Sequence, residues 1–354
     1  MSSIEEIVER AEICICAGAG GVGKTSTSAA VALGAAARGR KAAVLTIDPA
    51  KRLANALGLE QLGNEPHRVS GIGGDGELWA MMLDAKRTFD DLVETYAADT
   101  RTRDAVLSNR IYQELSGAVS GSQEYMAMEK LYELHMEGRF DLLVLDTPPT
   151  RNALDFLDAP ERLQRFIDSR SLRFFLSPGV KLLGRGSGIL FAVLQRVTGI
   201  DLLRDLSDFF QSFGDMSAGF RARAERVNEL LASEAATFVL VASPRRDAVD
   251  DAIFFHDQLV ARGMPFGGVV VNRFHDATDA ASNDVDLVAK LGRELAARLE
   301  ANFDAFSVLT TRDRTNLRRL TERLSGEPVV VVPEFDGDVH DLDGLAAMVE
   351  HLYP

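Results

Sequence analysis

The residues best suited to chemistry lie first in a glycine-rich segment over 18–26, which ends in Lys24, Thr25 and Ser26. The segment fits the pattern G-x-x-x-x-G-K-[ST], and its backbone N–H groups would surround an anionic phosphate. In that arrangement Lys24 reaches the β- and γ-phosphates, while the Thr25 hydroxyl ligates Mg²⁺. The predicted phosphate-binding residues are Gly20, Gly21, Val22, Gly23, Lys24, Thr25 and Ser26.

A first carboxylate candidate, Asp48, follows the apolar run Ala42–Ile47. A carboxylate at this point is suited to orient a water that attacks the γ-phosphate, or to accept its proton. An Asp-Pro turn, or an N-cap for the next helix, would explain the same residue in purely structural terms.

A second carboxylate candidate, Asp146, ends the apolar run Leu142–Leu145 and precedes Thr147 and two prolines. An acidic residue at the end of a buried strand suits a Walker B carboxylate, which holds Mg²⁺ directly or through its water. The structural alternative is an Asp at a strand end before a proline turn.

Two later segments are candidates for nucleoside recognition, with less specific signals. Asn272 and Arg273 end one apolar run, and Pro333, Glu334 and Phe335 end another. The Asn carboxamide matches the donor–acceptor edge of adenine, and Pro and Phe present flat apolar surfaces to a ring. Ordinary strand-end packing explains the same residues without a ligand.

The elements that must position these residues are short apolar strands with helices between them. Their runs are continuous rather than alternating, which is typical of strands covered on both faces in a parallel sheet. The sequence therefore predicts an α/β fold, a P-loop NTPase with a mostly parallel, doubly wound sheet and an inserted helical subdomain. The predicted strands are Ile13–Ala17, Ala42–Ile47, Leu78–Leu83, Leu142–Leu145, Phe238–Ala242, Gly267–Val271 and Val329–Val332.

The chain divides into core and insertion along its length. The predicted nucleotide-binding core comprises residues 1–85, with the phosphate loop, residues 140–154, with the candidate Walker B carboxylate, and residues 236–354, with the candidates for nucleoside recognition. Those at 86–139 form a helical insertion, and those at 155–235 a helical subdomain rich in Phe.

The Phe-rich subdomain has two interpretations. It is either the core of a helical insertion, or a groove for an amphipathic or transmembrane helix of a client protein, with Met216 as a pliable contact. Met126, Met128 and Met136 are expected to be core residues. The groove candidates are Phe174, Phe175, Phe191, Phe209, Phe210 and Phe213.

Composition excludes several function classes. The net charge of −14 argues against a nucleic-acid-binding surface. Both cysteines, Cys14 and Cys16, lie in the first apolar run and are expected to be core residues, since two ligands cannot complete a zinc site. No signal pattern or bilayer-length apolar segment is evident, so we expect a soluble cytoplasmic protein without an integral membrane segment.

Taken together, the motifs resemble those of the ArsA family, which includes arsenite-pump ATPases and ATPases that target tail-anchored membrane proteins. The resemblance rests on G-A-G-G-V-G-K-T-S at 18–26, D-P-A at 48–50, D-T-P-P-T at 146–150, V-N-R at 271–273 and V-P-E-F at 332–335. It implies a deviant-Walker ATPase of the signal-recognition and MinD group, dependent on Mg²⁺ and ATP. It also implies a dimer with nucleotides at the interface, switch I at Asp48, switch II after Asp146, and an adenine pocket at Asn272 and Pro333.

One departure from the family pattern concerns hydrolysis. The family's signature lysine, which crosses the dimer interface to the partner's phosphates, is replaced here by Ala19. Three explanations stay open: a heterologous partner carries the lysine, a local cation (Lys51, Arg52 or Arg151) substitutes for it, or hydrolysis is very slow and the protein is a nucleotide-gated switch.

Other departures distinguish the sequence from the family's branch that targets tail-anchored proteins. The switch II His of the tail-anchored targeting branch is replaced by Asn152, and the Cys-x-x-Cys zinc pair common there is absent. With only Cys14 and Cys16, activation by arsenite is not expected. The hypotheses are therefore a dimeric ATPase coupled to a partner or client, a weakly hydrolysing subunit of a heterodimer with a lysine-bearing paralogue, and a membrane-protein targeting factor.

Overall fold

A single eight-stranded sheet organises the protein. The computed structural model describes residues 3–48, 50–110, 112–113, 122–148, 158, 216, 218–276 and 292–354. The strand order is β3-β4-β2-β5-β1-β6-β7-β8, and every neighbouring pair is parallel except β3 with β4. The strands are β1 Ile13–Ala17, β2 Lys41–Thr46, β3 His67–Arg68, β4 Glu77–Met82, β5 Leu142–Asp146, β6 Ala236–Ala242, β7 Phe266–Phe274 and β8 Val329–Pro333. All seven predicted strands are confirmed, and within the described residues the two-residue β3 is the strand that the sequence did not predict.

The central strand β1 is buried on both faces, as its unbroken apolar run predicts. Ile13 and Ile15 face one hydrophobic core, whereas Cys14 and Cys16 face the other. Both thiols are fully buried and free, so the prediction that they are core residues is confirmed.

Helices cover both faces of the sheet. The described helices with defined ends are α1 Ile4–Val8, α2 Lys24–Ala37, α3 Arg52–Ala56, α4 Ala85–Tyr96, α5 Thr100–Leu107, α6 Ser122–Glu137, α8 Arg246–Ala261, α9 Arg293–Leu324 and α10 Leu342–Leu352; α7 runs over 218–231. Residues of α2 and α10 share the core of one face, while those of α4, α6, α7, α8 and α9 share the core of the other. The predicted α/β class is thereby confirmed.

Helix α2 is held against the C-terminal α10 by a close contact at Gly34. A Cβ at that position would lie 2.2 Å from the Tyr353 ring, so only glycine allows the ring to pack there. The Tyr353 hydroxyl donates to the Val31 carbonyl oxygen at 2.7 Å. This contact fixes the helix whose first turn carries Lys24 and Thr25.

The predicted insertion over 86–139 is helical where the structure describes it, in α4, α5 and α6. Met126 and Met128 are buried there, as expected. The expectation for Met136 was wrong, because its side chain is 63% exposed in the last turn of α6, where the helix leaves the core.

A buried ion pair joins α6 to α7. The Arg223 Nε donates to Glu129 Oε1 at 2.6 Å, and the guanidinium lies 3.9 Å from the centroid of the Tyr132 ring. Burial raises the pKa of Glu129, and the hydrogen bond from Arg223 opposes that rise. The pair therefore fixes the position of α7 on the insertion.

Most of the residues assigned to the possible client groove lie outside the part of the chain that the structure describes. Met216 is buried, but the six groove phenylalanines lie outside the described residues. Arg151 and Asn152 also lie outside them. Among the helices that the structure describes, none combines the length and apolar character needed to cross a bilayer.

Candidate functional site

All the predicted site residues except Gly20 and Val22 line one cavity of about 520 Å³ at the carboxyl edge of the sheet. In parallel α/β sheets ligands bind at this edge. Its lining comes from the glycine-rich loop after β1 and from the ends of β2, β5, β7 and β8. The predicted residues in the lining are Gly21, Gly23, Lys24, Thr25, Ser26, Asp48, Asp146, Asn272, Arg273, Pro333, Glu334 and Phe335.

The loop needs glycine at two positions for steric reasons. A Cβ on Gly18 would lie 2.1 Å from the Val241 carbonyl oxygen, and one on Gly23 would lie 2.2 Å from Asn272 Nδ2. Gly23 also has φ +92°, a conformation that favours glycine. The two glycines of the motif thus let the loop pass close to β6 and β7.

Lys24 begins α2 and is buried, with 6% of its surface exposed. Its Nζ donates to the Ala19 carbonyl oxygen at 2.9 Å, across the loop. Burial lowers the pKa of Lys24, and the negative charge of Asp146 opposes that shift. An anionic phosphate in the loop would stabilise this ammonium group further.

Asp146 is the centre of a hydrogen-bonded group at the base of the cavity. Its Oδ2 accepts hydrogen bonds from Thr25 Oγ1 at 2.8 Å and from Thr46 Oγ1 at 2.9 Å. The sheet register brings Thr46 and Cys16 beside Asp146. The structure therefore joins the phosphate loop, β2 and β5 through one carboxylate.

The other oxygen of Asp146 has unused acceptor capacity. Oδ1 is buried and has no hydrogen-bond partner among the described residues. Burial raises the pKa of Asp146 to about 6, although hydrogen bonds from Thr25 and Thr46 oppose the rise. A carboxylate oxygen beside a hydroxyl is a donor set suited to Mg²⁺, so these residues fit the ion.

Asp48 follows β2 at the mouth of the cavity. Its Oδ1 accepts a hydrogen bond from the Ala50 N–H at 3.0 Å, which forms the turn considered above as its structural role. Its Oδ2 lies 3.7 Å from a terminal nitrogen of Arg52. Asp48 is not the N-cap of α3, since that position is Lys51.

The opposite end of the cavity contains the nucleoside candidates. Asn272 is 7% exposed, and its Nδ2 donates to the Val22 carbonyl oxygen at 3.0 Å. Arg273 lies 3.8 Å from Glu334, which joins the ends of β7 and β8. Phe335 packs near His351 with ring centroids 5.7 Å apart. Asn272 therefore connects this end of the cavity to the phosphate loop.

Sequence reasoning missed several residues of the site. Thr46 donates a hydrogen bond to Asp146, and Asn55 of α3 lines the cavity together with Arg52, which the sequence had named only as one of three local cations. Thr147 and the segment 337–340 also line it. Thr46 stands at the end of a predicted parallel strand, and this position was the sequence signal that could have placed it near the site. Nothing in the sequence over 337–340 indicated that this segment would line the cavity.

Comparison with known proteins gives one family over most of the chain. The model of the anion-transporting ATPase family, ArsA, matches residues 11–324. The matched range contains the glycine-rich loop, Asp48, Asp146 and Asn272.

Individual relatives are distant. The chain is 23% identical over 277 residues to ATPase get3 of Aspergillus terreus, covering 77% of this chain and 76% of the relative. It is 24% identical over 251 residues to ATPase GET3 of Lachancea thermotolerans, and this match covers 68% of this chain and 65% of the relative. A putative arsenical pump-driving ATPase of Halobacterium salinarum is 30% identical over 148 residues, and this match covers 39% of this chain and 22% of the relative. The match thus spans less than two thirds of the length of the last two proteins.

Proposed function

The chain belongs to the anion-transporting ATPase family, and from this premise we propose that it binds and hydrolyses MgATP in the cavity described above. The relatives named as ATPases support this reaction. The observation that carries the proposal is the group formed by Lys24, Thr25 and Asp146 at the base of one cavity that also contains Asp48.

Each residue has a role that follows from its position. The amides over 20–25 and the Lys24 ammonium would bind the transferring phosphoryl group. Thr25 and Asp146 would hold Mg²⁺, Asp146 directly or through a water, and the bound ion would neutralise charge on the phosphates. Asp48, near the cavity mouth, would orient the attacking water or accept its proton.

The residues at the other end of the cavity would recognise the nucleoside. Asn272 would pair with the adenine edge, with Arg273 and Glu334 beside it. Pro333 and Phe335 would pack on the ring. The existing bond from Asn272 to Val22 supports a coupling between base recognition and the phosphate loop.

The proposed working unit is a cytoplasmic homodimer, or a heterodimer with a related ATPase. ATP binding would close the two subunits and hydrolysis would reopen them. The helical insertion would convert that change into altered affinity for a partner or client, because a ligand shifts an equilibrium toward the state it binds better.

Steady-state ATPase measurements test this function directly. Wild type should show Mg²⁺-dependent turnover that Asp48→Asn abolishes while both proteins bind MgATP. Turnover unaffected by Asp48→Asn would remove Asp48 from the mechanism.

A second function is favoured by Ala19, which provides no cation for a partner subunit. In this alternative the chain is a nucleotide-binding, weakly hydrolysing subunit of a heterodimer with a lysine-bearing paralogue. It predicts MgATP binding without turnover above background in the purified chain, and turnover when that paralogue is added.

A third function, membrane-protein targeting, rests on the Phe-rich sequence over 155–235. It predicts that hydrophobic helices co-purify with the protein and are lost on combining Phe209→Asp with Phe213→Asp. Co-purification unaffected by those changes would contradict it.

A further inference from the structure

The proposed hydrolysis needs positive charge at the γ-phosphate beyond Lys24, and residue 19 provides none because it is alanine. Charge that develops on a transferring phosphoryl group is usually neutralised by an arginine or a lysine in addition to the loop lysine. The described lining of the cavity contains three Lys or Arg side chains, which are Lys24, Arg52 and Arg273.

Position excludes two of the available cations. Arg273 lies at the nucleoside end, where it pairs with Glu334 at 3.8 Å. Lys51 is absent from the lining that contains Lys24 and Asp146; it lines a neighbouring cavity of about 210 Å³, on the other side of Asp48, which borders both cavities. Arg52 is therefore the described cation that lines the same cavity as Lys24 outside its nucleoside end.

Arg52 lies on the phosphate side. It is the first residue of α3, and a terminal nitrogen is 3.7 Å from Asp48 Oδ2, the carboxylate proposed to act on the attacking water. After burial and Asp146, the charge of Arg52 is the next influence on the pKa of Lys24, which it lowers. The two cations therefore act on the same region of the cavity.

The contact that holds Arg52 is weak enough to be exchanged. The Arg52 side chain is 66% exposed, and 3.7 Å is longer than a hydrogen bond. An exposed ion pair of this kind contributes little to the stability of a protein. A guanidinium can instead form two parallel hydrogen bonds with a phosphate, which are among the stronger interactions of a protein. Asp48 thus keeps Arg52 over the cavity without competing strongly with a phosphate.

Resting on the proposed ATPase function, we propose that Arg52 is the γ-phosphate ligand that replaces the missing lysine, acting from within the same subunit. Asp48 holds the guanidinium in the absence of nucleotide and is released toward water when Arg52 moves to the phosphate. A nucleoside triphosphate is therefore distinguished from a diphosphate by Arg52.

Calorimetric titration with two probes tests this role independently of turnover. Arg52→Gln removes the charge but preserves helical propensity, and Arg52→Lys keeps the charge. Lys51→Asn is the matched control, because it removes the neighbouring charge and Asn tolerates the left-handed conformation of residue 51, where φ is +53°. Each protein is titrated with the magnesium complexes of a non-hydrolysable ATP analogue and of ADP.

We expect Arg52→Gln to weaken binding of the ATP analogue by about tenfold or more, the loss of one charge-assisted contact, and to change ADP affinity by less than about twofold. Arg52→Lys should recover part of the loss, and Lys51→Asn should match wild type. In single-turnover assays Arg52→Gln should slow hydrolysis at least about a hundredfold, since an arginine at this position is worth about 10³–10⁵ in other enzymes.

Two failures are distinguishable. If wild type binds both nucleotides and Arg52→Gln weakens them equally or not at all, the role of Arg52 is wrong and the ATPase proposal stands. If wild type binds neither nucleotide, the ATPase proposal itself is wrong, and the role of Arg52 fails with it.

Discussion

Replacing Asp146 by Asn should make the nucleotide-free protein more stable while it weakens magnesium-dependent binding. Asp146 is 1% exposed, and burial raises the pKa of this carboxyl from 3.8 to about 6 in the folded protein. The buried Asp146 carboxylate lowers the stability of the nucleotide-free protein, because a buried negative charge without a nearby metal ion is unfavourable. The same charge favours binding of a magnesium–nucleotide complex.

The magnitude follows from the two pKa values. A carboxyl group with a raised pKa binds its proton more tightly when folded, so its stabilising contribution exists at acidic pH and is lost as the pH rises from about 4 through about 6. At pH 7.5 wild type carries the full cost of about 3 kcal/mol. Asn removes that cost, but it leaves an amide group unpartnered where Oδ1 now lies, at about 1–2 kcal/mol. The expected net gain is therefore about 1–2 kcal/mol.

Urea denaturation of both proteins in EDTA measures this difference. Asp146→Asn should have the higher midpoint at pH 7.5, and its advantage should shrink as the pH is lowered toward 5.5. Adding MgATP should reverse the order, because wild type gains about 2.7 kcal/mol at a ligand concentration one hundred times Kd.

Asp313 provides the matched control. It is fully buried like Asp146, but its oxygens accept hydrogen bonds from Arg312 at 2.8 Å and from the His275 backbone N–H at 3.2 Å. Asp313→Asn should destabilise, because it removes a paired carboxylate. If Asp146→Asn also destabilises the nucleotide-free protein at pH 7.5, the reasoning about an unfavourable charge is refuted.

Three further predictions address the loop, the nucleoside end and the helical insertion. Gly23→Ala should weaken MgATP binding strongly in calorimetry, since Ala is strained at φ +92° and its Cβ, 2.2 Å from Asn272 Nδ2, would displace that side chain; unchanged affinity would contradict the loop geometry. Asn272→Ala should weaken MgATP binding and lower stability by about 1 kcal/mol in urea denaturation, through loss of its bond to Val22; a stability change without an affinity change would assign it a structural role only. Arg223→Ala should destabilise by about 3 kcal/mol, because Glu129 would remain buried without its partner, and adding Glu129→Gln should recover part of the loss; no recovery would mean that the charge is not the cause.

The sequence was most informative where local pattern and tertiary role coincide. The run Ile13–Ala17 is buried on both faces, and its continuous apolar character alone predicted a buried strand there. The spacing of Gly18, Gly23 and Lys24 predicted the loop; in the structure Gly18 lies against the Val241 backbone, and Gly23 lies against the Asn272 side chain with a left-handed φ of +92°.

Features that depend on how distant segments pair and pack could not be predicted from the sequence. Thr46 reaches Asp146 only because β2 and β5 are neighbours in a register that no local pattern encodes. Helix α2 begins at Lys24, so the last residues of the glycine-rich motif also form its first turn. Met136 follows the helical pattern of its neighbours, but α6 extends beyond the core there.

The role of Arg52 illustrates the same limit. The sequence named three local cations that might replace the missing lysine, and their spacing did not rank them. The structure distinguishes Arg52 from Lys51, although they are adjacent in sequence, because Arg52 lines the cavity that contains Lys24 and Asp146 and Lys51 does not.

The central claim is that the amides over 20–25 and the Lys24 ammonium bind a nucleoside triphosphate, and calorimetric titration of MgATP tests it most directly. Wild type should bind with a stoichiometry of about one nucleotide per chain, as one loop per chain requires, and Lys24→Ala should lose most of that affinity while remaining folded. Folded wild type that releases no heat of binding, together with a Lys24→Ala variant that behaves identically, would contradict the account.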